Sequence, residues 1–508
     1  MKLYLLLFLT ILTFSCKKLK ESNVKPNIIY ILADDLGYGE VGVYGQEKIA
    51  TPNLDRLAKS GIRFTQHYAG SPVCAPSRCV LLTGKHSGHA QIRGNDEWRE
   101  RGEVWDYLAM LNDSTLEGQR PLQPRTTTIG TLLQQAGYKT AAIGKWGLGA
   151  PHTEGTPNKQ GFDLFYGYNC QRQAHTFYPL HLYKNESRVY LNNDTIPPHT
   201  KLDNDADPLD ANSYSRFTLN EYSPELMFKE IQGFINENQN NPFFLYWATP
   251  IPHAPLQAPE KWVDKYVSEF GDEEPYRGQN GYFPNRYPHA TYAAMISYLD
   301  DQIGQVIGQL KALGIHDNTL IMFSSDNGPT FNGGTNSKWF DSAKPFSSDQ
   351  GWGKGSVHEG GIRVPLIANW PGKINPGSTT AHISAFYDVM PTLCDIAGIA
   401  PDEATDGISF LPTLLNTETQ KEHDFLYWEF PAYNGQQAIR MGNWKGIRMN
   451  IFKGNMDIQL FDLDGDPLEK NDIANQHPEI VNQIKTIMEE QHTIPEIDRF
   501  KMKELGDL

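Results

Sequence analysis

The chain has 508 residues, 39% of them hydrophobic and 21% charged, with 44 glycines and 33 prolines; that balance excludes a disordered, collagenous or coiled-coil protein. Its 45 basic and 60 acidic residues leave a formal charge of −15, which argues against nucleic acid as a partner, because that binding needs a broad basic surface. Five cysteines are too few for a dense disulfide framework, and the length allows a large core without staples.

In chain order, residues 1–15 read as a signal peptide: a short charged start, then an apolar run from Leu3 to Phe14 that is too short to span a membrane comfortably. Ser15-Cys16 resembles a bacterial lipobox, although Thr13 stands where Leu is commoner. The expectation is a lipidated Cys16, a tether over 16–25, and a lipid-anchored protein of the periplasm or outer membrane, touching membrane only through that anchor. Apolar runs at 26–33, 140–144, 242–247, 319–323 and 364–368 read as buried strands. Helical patterns at 128–136, 223–235 and 292–313 lie between them. This alternation predicts an α/β fold, a large mostly parallel mixed sheet sandwiched by helices, with ligands at the carboxyl ends of the strands. The stretch 178–223 is polar and reads as a long irregular surface insertion. From about 424 the texture changes. Short β-like runs at 425–428, 437–440, 444–448 and 458–461 precede a helical pattern at 478–490, which predicts a small antiparallel sheet plus one helix. The expected division is an α/β catalytic domain over 26–423 and an α+β subdomain over 424–508.

Polar residues close two of the predicted strands. Asp34 and Asp35 follow the first, and Asp326 and Asn327 follow the run at 319–323. Either pair alone reads as a helix cap or Asx-turn. Adjacent carboxylates at a buried strand end repel and need a cation or strong donors, and four oxygen ligands from two such ends suit Ca²⁺ or Mg²⁺. Two lookalikes are set aside. Gly37 to Gly42 spells G-x-G-x-x-G, but Asp34 and Asp35 would face the pyrophosphate of a dinucleotide. Asp462 to Asp466 has its glycine fourth, not sixth as an EF-hand requires, and reads as a turn. The segment Cys74-Ala75-Pro76-Ser77-Arg78 places Pro76 in the first turn of a helix and Cys74 just before its N-terminus, where free backbone N–H groups stabilise an anion or nucleophile. A Cys74–Cys79 disulfide and a buried thiol are the bland alternatives.

These residues resemble the type I sulfatases of the alkaline-phosphatase-like superfamily, whose signature is C-x-P-S-R followed by T-G, here Cys74 to Arg78 and Thr83-Gly84. The resemblance runs along nearly the whole chain: Ala33 to Gly39, Thr51 to Asp55, Gly144-Lys145-Trp146, Pro252-His253, Ser325 to Gly328, Lys354 to Pro365, Trp444-Lys445 and Leu460 to Leu463. It implies an alkaline-phosphatase-like fold and conversion of Cys74 to formylglycine by a formylglycine-generating or anaerobic sulfatase-maturating enzyme. Asp34, Asp35, Asp326 and Asn327, with the residue at 74, would bind Ca²⁺ ahead of Mg²⁺. Arg78, Lys145 and Lys354 would hold the nucleophile and the sulfate, and His253 would protonate the departing sugar oxygen. The implied reaction is hydrolysis of a carbohydrate sulfate ester through a covalent sulfoenzyme, on a galactose or N-acetylgalactosamine type of sulfated oligosaccharide. One departure stands out. The family run G-K-W-H-L-G is here Gly144-Lys145-Trp146-Gly147-Leu148-Gly149, so its histidine is missing. His175 is the favoured stand-in over His152. The segment 86–95, with Arg93, and the polar and aromatic run 166–178, with Arg172 and His175, are expected to contact substrate. The competing readings are a phosphoester or phosphonate hydrolase of the same superfamily and a non-catalytic sulfated-glycan binder.

Overall fold

The computed structural model describes residues 25–417 and 419–507; the predicted signal peptide and lipobox lie outside them. Among the described residues no helix is long and apolar enough to cross a membrane. The large sheet holds β1 (Asn27–Ala33), β2 (Ile62–Tyr68), β3 (Lys139–Lys145), β4 (Leu164–Tyr168), β5 (His181–Lys184), β6 (Ser187–Tyr190), β7 (Phe243–Ala248), β8 (Thr319–Ser325), β9 (Arg363–Asn369), β10 (Ser378–Thr380) and β11 (Ser384–Ala385). Their order is β10-β2-β9-β8-β1-β7-β3-β4-β5-β6, with β11 also on β2. The centre, β8-β1-β7-β3-β4, is parallel, whereas β9 runs against both β8 and β2.

β1 sits in the middle, and the absence of any charged residue between Ile28 and Ala33 follows from having both faces covered. Ile28, Tyr30 and Leu32 join the core on one face, with the helix Cys74–Thr83. Ile29, Ile31 and Ala33 join the other, with the long helix Pro288–Ala312. Each fully buried Ile or Leu stabilises the fold by about 1.5–3 kcal/mol relative to exposure. Register then positions the chemistry. Ala33 lies beside Ser325, and Leu32 beside Ala248; Gly144 of β3 also pairs with Ala248. The residues that follow β1, β7 and β8, and the last residue of β3, therefore emerge at one end of the sheet.

The stretch 178–223 departs from the expected irregular insertion. Its first part forms the β5-β6 hairpin, which pairs antiparallel with β4 and extends the sheet edge. Leu182 and Tyr183 anchor it in the core; two buried side chains in a four-residue strand make too short a pattern to read beforehand.

The C-terminal part forms a second sheet of β12 (Leu426–Phe430), β13 (Gln436–Met441), β14 (Trp444–Met449) and β15 (Gln459–Asp462), all antiparallel, followed by the helix Pro478–Gln491. Alternation along β12 decides its packing. Leu426, Trp428 and Phe430 enter the large core, while Tyr427 faces Ile484 and Met488 of that helix. Polar contacts bind the two parts. Trp428 Nε1 donates to Ala69 O at 2.9 Å. Gln436 accepts from Val357 N at 3.1 Å and donates to Gly355 O at 2.8 Å, so β13 braces the loop that carries Lys354.

Candidate active site

Asp34 and Asp35 leave β1 into the space beside Asp326 and Asn327, and all four are buried. Asp35 adopts the left-handed backbone region, φ 65°, which costs a non-glycine residue energy. Its N–H donates to Asp326 Oδ1 at 3.1 Å, and its carboxylate receives Asn327 Nδ2 at 2.8 Å and Lys354 Nζ at 2.7 Å, which hold that conformation in place.

The Cys74–Thr83 helix aims its N-terminus at this cluster. Cys74 is 1% exposed, and its Sγ lies 3.5 Å from Asp34 Oδ1 and 3.6 Å from Lys145 Nζ. Cys74 and Cys79 are separate free thiols, so the disulfide alternative is not formed. Arg78, one turn on, is fully buried. It donates to Asp326 Oδ2 through Nε (3.0 Å) and Nη2 (2.8 Å), and to Lys145 O through Nη1 (2.5 Å). Lys145 Nζ reaches Asp34 Oδ2 at 2.6 Å. Burial alone would raise Asp34, but Lys145, His253 and Arg78 together hold it well below the usual carboxylate range. Asp326 is pushed up to about 7 by burial and the neighbouring Asp34. Three carboxylates and three cations thus balance in a largely buried space, into which Lys354 reaches with 16% side-chain exposure.

The donor set fits a hard divalent cation. Asn327 Oδ1 is buried without a hydrogen-bond partner among the described residues. Among the described residues Oδ1 of Asp326 accepts only from Asp35 N, which leaves it a free lone pair. Burial also pushes Asp35 up, so the site gains from positive charge. Oxygen donors from carboxylates and an amide are those that Ca²⁺ and Mg²⁺ prefer. One ligand atom from each of Asp34, Asp35, Cys74 and His253 also falls within 4.8 Å of the others.

His253 lies on the loop after β7. Its Nδ1 lies 2.5 Å from the Ala254 carbonyl, which fixes Nδ1–H as the donor and leaves Nε2 free, 3.6 Å from Asp35 Oδ2. His175 stacks on it, with ring centroids 5.5 Å apart and planes at 14°, and its Nδ1 is buried without a partner among the described residues. Burial, then nearby positive charge, holds both imidazoles well below 6.5. Two neighbours went unnoticed in the sequence. Tyr282 packs against both histidines, at 5.6 and 5.0 Å, and His199 packs against His175 at 5.4 Å. Both come from irregular stretches without a motif. Their one shared signal is a left-handed backbone, φ 61° and 69°, which no sequence pattern announces.

Gln171 was missed as well. Gly147 has φ 81°, and a Cβ there would sit 2.4 Å from Gln171 Nε2 and 2.7 Å from its Cγ. The Gln171 side chain fills the room that a side chain at 147 would need, and its Nε2 is buried without a partner among the described residues.

Other expectations need correction. Arg93 does not line this space. Its guanidinium is turned into the interface with the C-terminal sheet, where it meets Glu429 Oε1 at 2.7 Å and the carbonyls of Ala90, Gly88 and Thr493. His86 and His89 of the same segment are tied to Asp406, and only Asn95 turns back, accepting from Ala75 N at 3.0 Å. His152 sits on an exposed turn and pairs with Ser114 at 3.1 Å. Arg172 is half-buried beside the histidine cluster. It donates to Val104 O at 3.2 Å and lies over the Trp105 ring.

The sulfatase family pattern matches residues 26–399, and the pattern of the N-sulphoglucosamine sulphohydrolase C-terminal region matches residues 349–493. The chain belongs to the sulfatase family. This sulfatase is 31% identical to the N-acetylgalactosamine-6-O-sulfatase of Bacteroides thetaiotaomicron, over 93% of this chain and 94% of the relative. It is also 31% identical to the human N-acetylgalactosamine-6-sulfatase, over 84% of this chain and 74% of that protein. Among solved structures it is similar to Ps i-CgsB in complex with k-i-k-neocarrahexaose, with a TM-score of 0.72, 27% identity, and 95% and 96% of the two chains covered. A phosphonate monoester hydrolase of Agrobacterium radiobacter shares the fold at 19% identity and TM-score 0.61. The sulfatase is a sulfuric ester hydrolase.

Proposed function

We propose that this sulfatase removes sulfate from a galactose or N-acetylgalactosamine unit of a sulfated oligosaccharide, at the 6-O position, using formylglycine at Cys74 and Ca²⁺. The names of two relatives, both N-acetylgalactosamine 6-sulfatases, support the sugar and position. One observation carries the nucleophile. Cys74 lies within 3.6 Å of Lys145 in a largely buried, charge-balanced cluster, yet burial pushes its thiol up to about 12. An unmodified Cys74 is therefore a neutral thiol at pH 7 and a poor nucleophile.

Formylglycine at position 74, once hydrated, would supply the attacking hydroxyl and a second hydroxyl for release of sulfate. A cation held by Asp34, Asp35, Asp326 and Asn327 would supply Lewis acidity and turn the balanced site positive, favouring an anionic ester. The protein groups supply the rest. Arg78, fixed by Asp326 and by the Lys145 carbonyl, keeps a permanent positive charge under position 74. Lys145 and Lys354 present ammonium groups to sulfate oxygens. His253 Nε2 gives its proton to the departing sugar oxygen. Burial, then the charges of Lys145 and Lys354, disfavour the proton on His253, and a bound sulfate ester offsets the second of these causes, which favours the protonated form as substrate arrives. Burial of the reacting centre excludes bulk water. His175, neutral and stacked on His253, is the proton acceptor in place of the missing family histidine.

The relatives support a secreted setting, with a lipid anchor at Cys16 holding the enzyme at the periplasmic or outer-membrane face after a maturase has converted Cys74. Mass spectrometry of the Cys74 peptide from the native host tests the modification; an intact thiol would favour a glycan-binding protein instead. Turnover on paired sulfate and phosphate monoesters, with each sugar sulfated at a defined position, tests the reaction. Preference for phosphate, or for a 4-O ester, would overturn the proposed chemistry or position.

A further inference from the structure

Trp105 is 51% exposed, unusual for so large an apolar side chain. It belongs to the loop before the short helix Tyr107–Asn112. The Arg172 guanidinium lies 4.9 Å from its ring centroid, and that of Arg99 lies 6.0 Å away. Arg172 makes one hydrogen bond, to Val104 O, and no carboxylate lies within ion-pair distance of it among the described residues, although its charge acts on the half-buried Glu97. A half-buried arginine without a bonded counter-ion needs explaining in a chain of net charge −15. Its position supplies the explanation. Arg172 precedes His175 by one turn of the 3₁₀ helix Gln171–His175, and its charge reaches His199. From His253 the line of side chains runs outward through His175 to His199, Arg172 and Trp105.

We infer that Trp105, Arg172 and Arg99 form an outer carbohydrate subsite that takes an anionic sugar of the same oligosaccharide, further along the chain from the unit being desulfated. The inference rests on the proposed carbohydrate sulfatase activity. An exposed indole offers a flat apolar face for the C–H side of a pyranose ring. The two guanidiniums supply planar donor forks for a sulfate or carboxylate. The exposed Glu103 and Asp106 flank Trp105, so within a Debye length of about 8 Å the anion is held by direct contact with the two donor forks and not by a net positive field.

The test compares two substrates on the full-length, matured enzyme: a sulfated monosaccharide, and an oligosaccharide with the same reacting unit and an anionic neighbour. In Trp105→Ala the ratio of kcat/KM for the oligosaccharide to that for the monosaccharide falls about tenfold, mostly through KM. In Arg172→Met the preference for the anionic oligosaccharide over its neutral counterpart falls by a similar factor and stops responding to salt. An unchanged ratio in Trp105→Ala, or parallel loss on both substrates, overturns the subsite. If the wild-type enzyme cleaves neither, the proposed activity fails. The subsite is then judged by calorimetry with the desulfated anionic oligosaccharide, where binding that Trp105→Ala does not weaken overturns it.

Discussion

Replacing Gly147 by alanine tests how the site is built where this sulfatase departs from its family. The residue sits at φ 81°, and an L-residue in the left-handed region costs roughly 1–2 kcal/mol. The new methyl would lie 2.4 Å from Gln171 Nε2 and 2.7 Å from Gln171 Cγ. Such overpacking in a closed interior adds about 1–3 kcal/mol. The expected loss is therefore about 2–5 kcal/mol. Only the second part belongs to Gln171, so Gln171→Ala in the same chain should recover about 1–3 kcal/mol. Urea unfolding of the wild type, both single variants and the double variant measures this as a coupling energy. A loss below about 0.5 kcal/mol in Gly147→Ala, or a coupling within the usual additivity error of about 0.5 kcal/mol, would refute the steric reasoning. Gly147→His should be worse than Gly147→Ala in both stability and turnover; a gain in activity would show that Gln171 yields easily.

Chelation of the wild-type enzyme with EGTA should abolish turnover and lower Tm, with Ca²⁺ restoring both better than Mg²⁺; at a hundredfold excess over Kd the bound ion stabilises by about 2.7 kcal/mol, and a Tm indifferent to EGTA would contradict the donor set. Arg93→Met should destabilise by about 1.5–3 kcal/mol, the range for a lost hydrogen bond to a charged group, because it takes the guanidinium from the buried Glu429 carboxylate while His492 and Tyr427 stay bound to it, and it should not raise KM; the reverse pattern would return Arg93 to the substrate. His67 is pushed down to about 3 by burial, against about 6.5 in an unfolded chain. Its contribution is complete above pH 6.5 and is lost as pH falls toward 3, amounting to about 2 kcal/mol between pH 6.5 and 5. His67→Gln should flatten the acid side of the stability profile by that amount in urea titrations at the two pH values, and an unaltered slope would count against it.

The centre of the fold was legible because β1, β7 and β8 are buried on both faces and so read as unbroken apolar runs. The acid pairs after β1 and β8 were legible as a site because parallel register must bring consecutive strand ends together. Arg93 misled because its nearness in sequence to the Cys74 helix says nothing of the C-terminal sheet, which arrives more than three hundred residues later and claims the side chain through Glu429. Gln171, His199 and Tyr282 were illegible for a different reason. His199 and Tyr282 reach the site from irregular backbone and Gln171 from the start of the short 3₁₀ helix Gln171–His175, and the partner that gives each its meaning lies in a remote segment. Gly147 was noticed for the histidine it lacks, whereas the structure shows a neighbour occupying the volume.

Gln436 on β13 grips the loop on both sides of Ser356, and Lys354, at 16% side-chain exposure the most open of the charged groups around Asp35, stands at the end of that loop. The hands that close the chamber thus belong to a strand made late in synthesis. Until that strand is made, the loop whose Gly355 N–H donates to Pro72 O, two residues before the Cys74 helix, lacks its brace. In the finished fold Cys74 is 1% exposed, so the conversion proposed above would have to come before the C-terminal sheet closes. The order in which this chain is translated would then act as the timetable for its own activation.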